Sequence, residues 1–91
     1  MKIRDAGEAR DVAAHIAKKE AKTAFGIAAS SVHIDAVTRS EWNELPVYNI
    51  HGSVTIVTRP KGFLREEQTE YHDFVCELLA TDLKLVGFQF A

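Results

Sequence analysis

Hydrophobic positions along the chain follow two different periods, and the change between them divides it. Over residues 6–25, Val12, Ala13, Ile16, Ala17, Ala21, Ala24 and Phe25 fall on one stripe at helical spacing. Asp5 followed by Glu8 fits a capping box, in which each side chain accepts from an otherwise unpaired backbone N–H. Gly26 supplies a left-handed stop, after which Ile27 can pack back on the last turn. The pattern therefore predicts a helix from Ala6 to Phe25, and its alanines suit close packing on a sheet. Lys18, Lys19 and Lys22 gather toward the negative end of the helix dipole, which accounts for this basic cluster without a ligand.

From residue 31 the period becomes two. Val32, Ile34, Ala36, Thr38, Ser40 and Trp42 share one face of a predicted strand. His33, Asp35, Arg39 and Glu41 share the other, joined by Val37. "NELP" then makes a turn. In "LPVYNIHGSVTIVTRPKG" the even positions Tyr48, Ile50, Gly52, Val54 and Ile56 stay on one face on both sides of Gly52. The odd positions are polar apart from Val47 and Val57. A two-residue hairpin at His51-Gly52 would mix these faces. A three-residue loop through Ser53 would match them, but it puts glycine second where the loop prefers it third. The parity thus predicts one long strand bent at Gly52. One register with matched faces sets Trp42 opposite Tyr48 and Ala36 opposite Val54. Gly52 then faces Thr38, and its missing side chain makes room for the helix.

Residues 60–69 read as a polar connection with Pro60 and Gly62. "EYHDFVCELLAT" fits either a helix through Tyr71, Phe74, Val75, Leu78 and Leu79, or a strand with Phe74, Cys76, Leu78 and Ala80 on one face. The tail "DLKLVGFQFA" reads as a strand, with Val86, Phe88 and Phe90 on one face and Leu83 and Leu85 on the other.

"CELLATDLKLVGF" resembles the closing hairpin of PepSY-type domains, in which a strand passes through a short polar turn into one ending Val-Gly-aromatic. "PVYNIHGSVTIV" resembles the strand before it. A helix followed by antiparallel strands that curl around it is similar to the cystatin-like arrangement. The resemblance implies that residues 70–80 are a strand. It makes the fold α+β, one N-terminal helix on a curled four-stranded antiparallel sheet in the order α-β-β-β-β. The alternative, α-β-β-α-β, has residues 65–80 helical. The sequence departs from both families where function would be read. "SEWNELP" stands where cystatin-type inhibitors carry Gln-x-Val-x-Gly, "ATDL" lacks the glycine common in the PepSY turn, and PepSY domains usually lie outside the cytoplasm.

Composition adds limits. Ninety-one residues, 46% apolar and 26% charged, suit one folded domain over residues 1–91. A net charge of −2 and the lack of Lys/Arg clusters beyond the helix end argue against nucleic acid as a partner. No apolar run approaches the length of a membrane span, and the first residues lack the apolar core of a signal peptide. With a single cysteine, Cys76, a cytoplasmic location is expected.

Candidate chemistry is thin, and neither a catalytic, a cofactor nor a metal site is expected. In the register above His33 faces Val57 and His51 faces Arg39, too far apart to share a metal. His15 and His72 have no visible ligand partners. Cys76 and His72 would be neighbours only on a helix. On a strand they stand about 13 Å apart. A lone cysteine between apolar residues is usually a small core residue.

A sheet with one helix leaves its other face open. Val37, Val57, Val75 and Leu79, with Leu85, are expected there, and Trp42, Tyr48 and Leu45 extend the surface near the first turn. Long neighbours such as Arg39, Arg59 and Lys84 could shield part of it. The expected function is a non-enzymatic binding module using the open sheet face or a strand edge, with a protein partner or a second copy. The alternative is a small-molecule-binding or enzymatic domain with a pocket between helix and sheet, lined by Trp42 and Tyr48.

Overall fold

The computed structural model describes residues 2–58 and 66–91. Helix α1 (Ala6–Phe25) precedes four strands, β1 (Ser31–Trp42), β2 (Leu45–Thr58), β3 (Gln68–Leu79) and β4 (Leu85–Phe90). They form one antiparallel sheet in the order β1-β2-β3-β4. The α-β-β-β-β architecture is the one expected, and residues 68–79 are strand rather than helix. Most of the connection expected over residues 60–69 lies outside the described residues, as does Arg59.

Both helix ends follow from local chemistry. The Asp5 carboxylate accepts from the backbone N–H of Gly7 and Glu8. The capping box is only half formed, because the Glu8 carboxylate is taken by Arg4 Nε at 2.7 Å. Gly26 adopts φ 73° and donates to the Lys22 carbonyl at 3.0 Å, while Ile27 stays exposed instead of packing back. The buried stripe is narrower and smaller than expected: Ala9, Ala13, Ala17 and Ala21 are fully buried. Val12, Ile16 and Phe25 flank them, and Ala24 faces solvent. Four alanines one turn apart let the helix axis approach the sheet closely.

Facing them are Tyr48, Ile50, Val54 and Ile56 of β2, Phe74, Cys76 and Leu78 of β3, and Ala80 and Leu83 after it. Two anchors hold the N-terminal end: Arg4 N–H donates to Ala80 C=O, and the Tyr48 hydroxyl donates to Arg4 C=O. An aromatic chain holds the other end. Phe25 stacks on His72 with centroids 4.2 Å apart and meets Phe90 at 5.1 Å; Phe90 meets Phe88, and Phe88 stacks on Phe74.

Strand β2 runs unbroken through Gly52, so residues 51–53 are no hairpin tip. The β1–β2 register differs from the expected one. Asn43 and Glu44, at φ 50° and 65°, form a two-residue turn of the primed type, and Trp42 pairs with Leu45. Asp35 is then an extra residue between the pairs Ile34–Gly52 and Ala36–His51. This bulge reverses the faces of the rest of β1. Val37 pairs with Ile50 and Arg39 with Tyr48 on the helix side, whereas Ala36, Thr38, Ser40 and Trp42 turn outward.

Gly52 is therefore opposite Ile34 rather than Thr38, and what fills the space above it is not the helix. A Cβ there would lie 2.3 Å from the His33 carbonyl oxygen and 2.8 Å from Cζ of Phe74. The glycine lets the bulged strand and the Phe74 ring close over it. In the β3–β4 turn, Leu83 takes the left-handed position that glycine would fill, φ 59°, and buries its side chain in the core. The Asp82 carboxylate, accepting from the Lys84 N–H at 2.9 Å, helps hold that turn.

Candidate functional site

The helix covers one face of the sheet, so the outer face and the free strand edges are where a ligand or partner could act. The six residues expected to form an interaction surface separate. Val37 is a correction: the bulge at Asp35 turns it inward, where it packs on the core beside Ile50. Tyr48 is a second correction, buried under the helix because its hydroxyl finds the Arg4 carbonyl. Trp42, Leu79, Val75 and Val57 do lie on the outer face, by their pairing with Leu45, Val47, His51 and Thr69. Val57 is ten residues along β2 from Val47, about 33 Å at the usual strand rise, so the apolar positions do not make one continuous face.

They concentrate at the end beside the Asn43-Glu44 turn. Trp42 is 47% exposed and its cross-strand partner Leu45 37%. Two residues further on, Val47 pairs with Leu79. Val47 is only 1% exposed, yet it stands apart from the cluster beneath the helix. Leu85, 43% exposed, is a third correction: a register shift at Glu77 pairs it with the core residue Leu78, so it stands at the helix side of the sheet and outside this patch. The parity exception at Val47 was the sequence signal for this patch. Between it and Val75 the outer face is polar, with Thr38, Asn49 and Glu77 in register.

The actual register also brings His33 and His51 nearer than expected. His33 pairs with Ser53 and Ala36 with His51, which makes the two histidines diagonal neighbours on the outer face. His33 Nε2 lies 3.1 Å from the Asp35 carboxylate. Asp35, His51, Asp73 and Val75 line a depression of about 280 Å³ where the bulge opens the sheet. Among the described residues, no three His, Cys, Asp or Glu side chains are grouped so as to hold a metal ion. His72 is half-buried against Phe25, 3.4 Å from Glu70, and His15 is exposed on the helix.

Cys76 is fully buried under the helix, and that burial, with smaller contributions from Glu77 and Glu20, pushes its thiol up to about 12. A thiol so protonated is a core residue, not a nucleophile. Nor do Trp42 and Tyr48 line a common pocket, since they lie on opposite faces of the sheet. Among the described residues no helix is long and apolar enough to cross a membrane. No protein-family model matches the chain, and no curated protein or solved structure matches it either.

Proposed function

We propose that this chain is a non-enzymatic interaction module that associates, in the first instance with a second copy of itself, through the uncovered side of its sheet at the β1–β2 turn. The observation that carries this reading is the patch formed by Trp42, Leu45, Val47 and Leu79. Trp42 and Leu45 stand exposed in cross-strand register, with half-buried Leu79 and buried Val47 beside them, on a face that helix α1 does not cover. Trp42 fits the role, because exposed tryptophan in a shallow apolar patch is a recurrent anchor of protein interfaces. The α-β-β-β-β order is compatible with the PepSY-type and cystatin-like resemblance, and a cytoplasmic setting fits a buried, unpaired cysteine.

Trp42 is the only tryptophan, so its fluorescence reports this surface alone. Its emission should shift to the blue, and its quenching by acrylamide should fall, as the protein is concentrated from about 1 μM to about 500 μM. Leu45→Glu should abolish both changes. Emission and quenching that stay constant over that span in wild type and variant alike would remove the proposal.

A further inference from the structure

Resting on the reading as a self-associating module, we infer that the seam between two copies is the free edge of β1, paired antiparallel about Ser40. The backbone sets which groups are available. Pro46 gives its carbonyl to Ala80 of the β3 side at 2.9 Å, so the odd residues of β2 are the ones bonded to β1. Their partners are Trp42, Ser40, Thr38 and Ala36. It follows that Val37, Arg39 and Glu41 direct their N–H and C=O groups away from β2, toward the open edge. Upstream, the bulge at Asp35 disrupts the edge and protects it from pairing. Downstream, the run from Ala36 to Trp42 is regular, lacks proline, and is exposed at every position but Val37.

Charge then selects the register. A two-fold axis normal to the sheet keeps the helix faces on one side, so the edge-facing set Val37, Arg39 and Glu41 must meet the same set of the second copy. Centred on Arg39, the pairing sets two guanidinium groups opposite each other, and centred on Glu41 it opposes two carboxylates. Centred on Thr38, it runs Glu41 into the bulge beside Asp35 of the other copy. Only the register about Ser40 opposes unlike charges, Arg39 to Glu41 of the second copy and the reverse, with four backbone hydrogen bonds between them.

Both side chains are exposed on the helix side of the strand, and among the described residues neither has an ion-pair partner. The Arg39 guanidinium instead lies 5.4 Å from the centre of the Tyr48 ring, at the end of the core. On the outer face the same register lays Trp42 against Thr38 of the second copy, which brings the exposed patch to the seam.

The test is sedimentation velocity on the wild type, Glu41→Arg, Arg39→Glu and the double exchange Arg39→Glu/Glu41→Arg. Each single reversal turns two attractions into two repulsions, so dissociation should strengthen at least about tenfold. The double exchange restores opposite charges at both contacts and should recover association, a result that a merely structural loss at Arg39 would not give. Circular dichroism on each variant separates a failure of pairing from a failure to fold. If Glu41→Arg and the double exchange associate like the wild type while Leu45→Glu does not, the seam is wrong and association runs through the open face. A wild type that stays monomeric throughout overturns the seam and the self-association reading together. In that case Arg39 and Glu41 serve only to keep the edge from pairing.

Discussion

Replacing Gly52 with alanine isolates the close approach of the His33 backbone and the Phe74 ring to β2. The added methyl would sit 2.3 Å from the His33 carbonyl oxygen and within 3.0 Å of two atoms of the Phe74 ring. The ring can rotate or shift, but the carbonyl belongs to the backbone next to the bulge and can only move with its strand. Overpacking of this kind costs about 1–3 kcal/mol, and the backbone obstacle puts Gly52→Ala at about 3 kcal/mol or above. A domain of this length holds on the order of 5–14 kcal/mol in all, so the variant should unfold about 10–25 °C lower. Gly87→Ala is the matched control: it also lies in a strand, but nothing comes within 4 Å of its added carbon. There, alanine should be neutral or stabilising by up to about 1 kcal/mol, through the unfolded state. Thermal and urea denaturation followed by circular dichroism measure both. Equal stability of the two variants would refute the close-approach argument. Recovery of stability in Gly52→Ala/Phe74→Leu would show that the ring, not the carbonyl, is the obstacle.

Other outcomes follow from single contacts. Glu44→Gly should stabilise by about 1 kcal/mol in the same denaturation assay, because Glu44 holds φ 65° without the freedom of glycine. Asp5→Ala removes the acceptor for two helix N–H groups and should cost about 1 kcal/mol. Ala17→Leu should destabilise by about 1–3 kcal/mol, since that alanine is fully buried between helix and sheet. Cys76 titrates with its folded value, about 12, above the unfolded one, which lies near 8.5. Its contribution to stability is therefore complete below about pH 8.5 and is lost as pH rises toward 12. At pH 8 the native thiol should resist iodoacetamide and react fully once urea unfolds the chain.

Much of this architecture can be read in the residues, and most of the failures trace to strand β1 and its turn into β2. The helix is legible because Asp5, the alanine stripe and Gly26 act within a turn or two of themselves. The continuity of β2 is legible because parity survives Gly52. What the pattern conceals is the bulge at Asp35: one unpaired residue shifts every later position of β1 to the other face. Val37, the apolar exception on an otherwise polar face, was its only local trace. The unpaired Asp35 misplaced Val37. The two-residue Asn43-Glu44 turn, tighter than expected, accounts for three of the four positions by which the partner of Gly52 moved from Thr38 to Ile34. It also accounts for most of the overestimated distance between His33 and His51. Tyr48 was misjudged for a different reason. Its hydroxyl is satisfied by Arg4, which lies 44 residues away and cannot be anticipated from strand periodicity.

The mass of the wild-type protein in solution, followed by light scattering from about 1 μM to about 500 μM, tests most directly whether the uncovered end of the sheet joins two copies. The mass should rise toward 20.2 kDa, twice the 10.1 kDa of one chain, with Leu45→Glu staying at 10.1 kDa. A wild type that also stays at 10.1 kDa over the whole span contradicts that association.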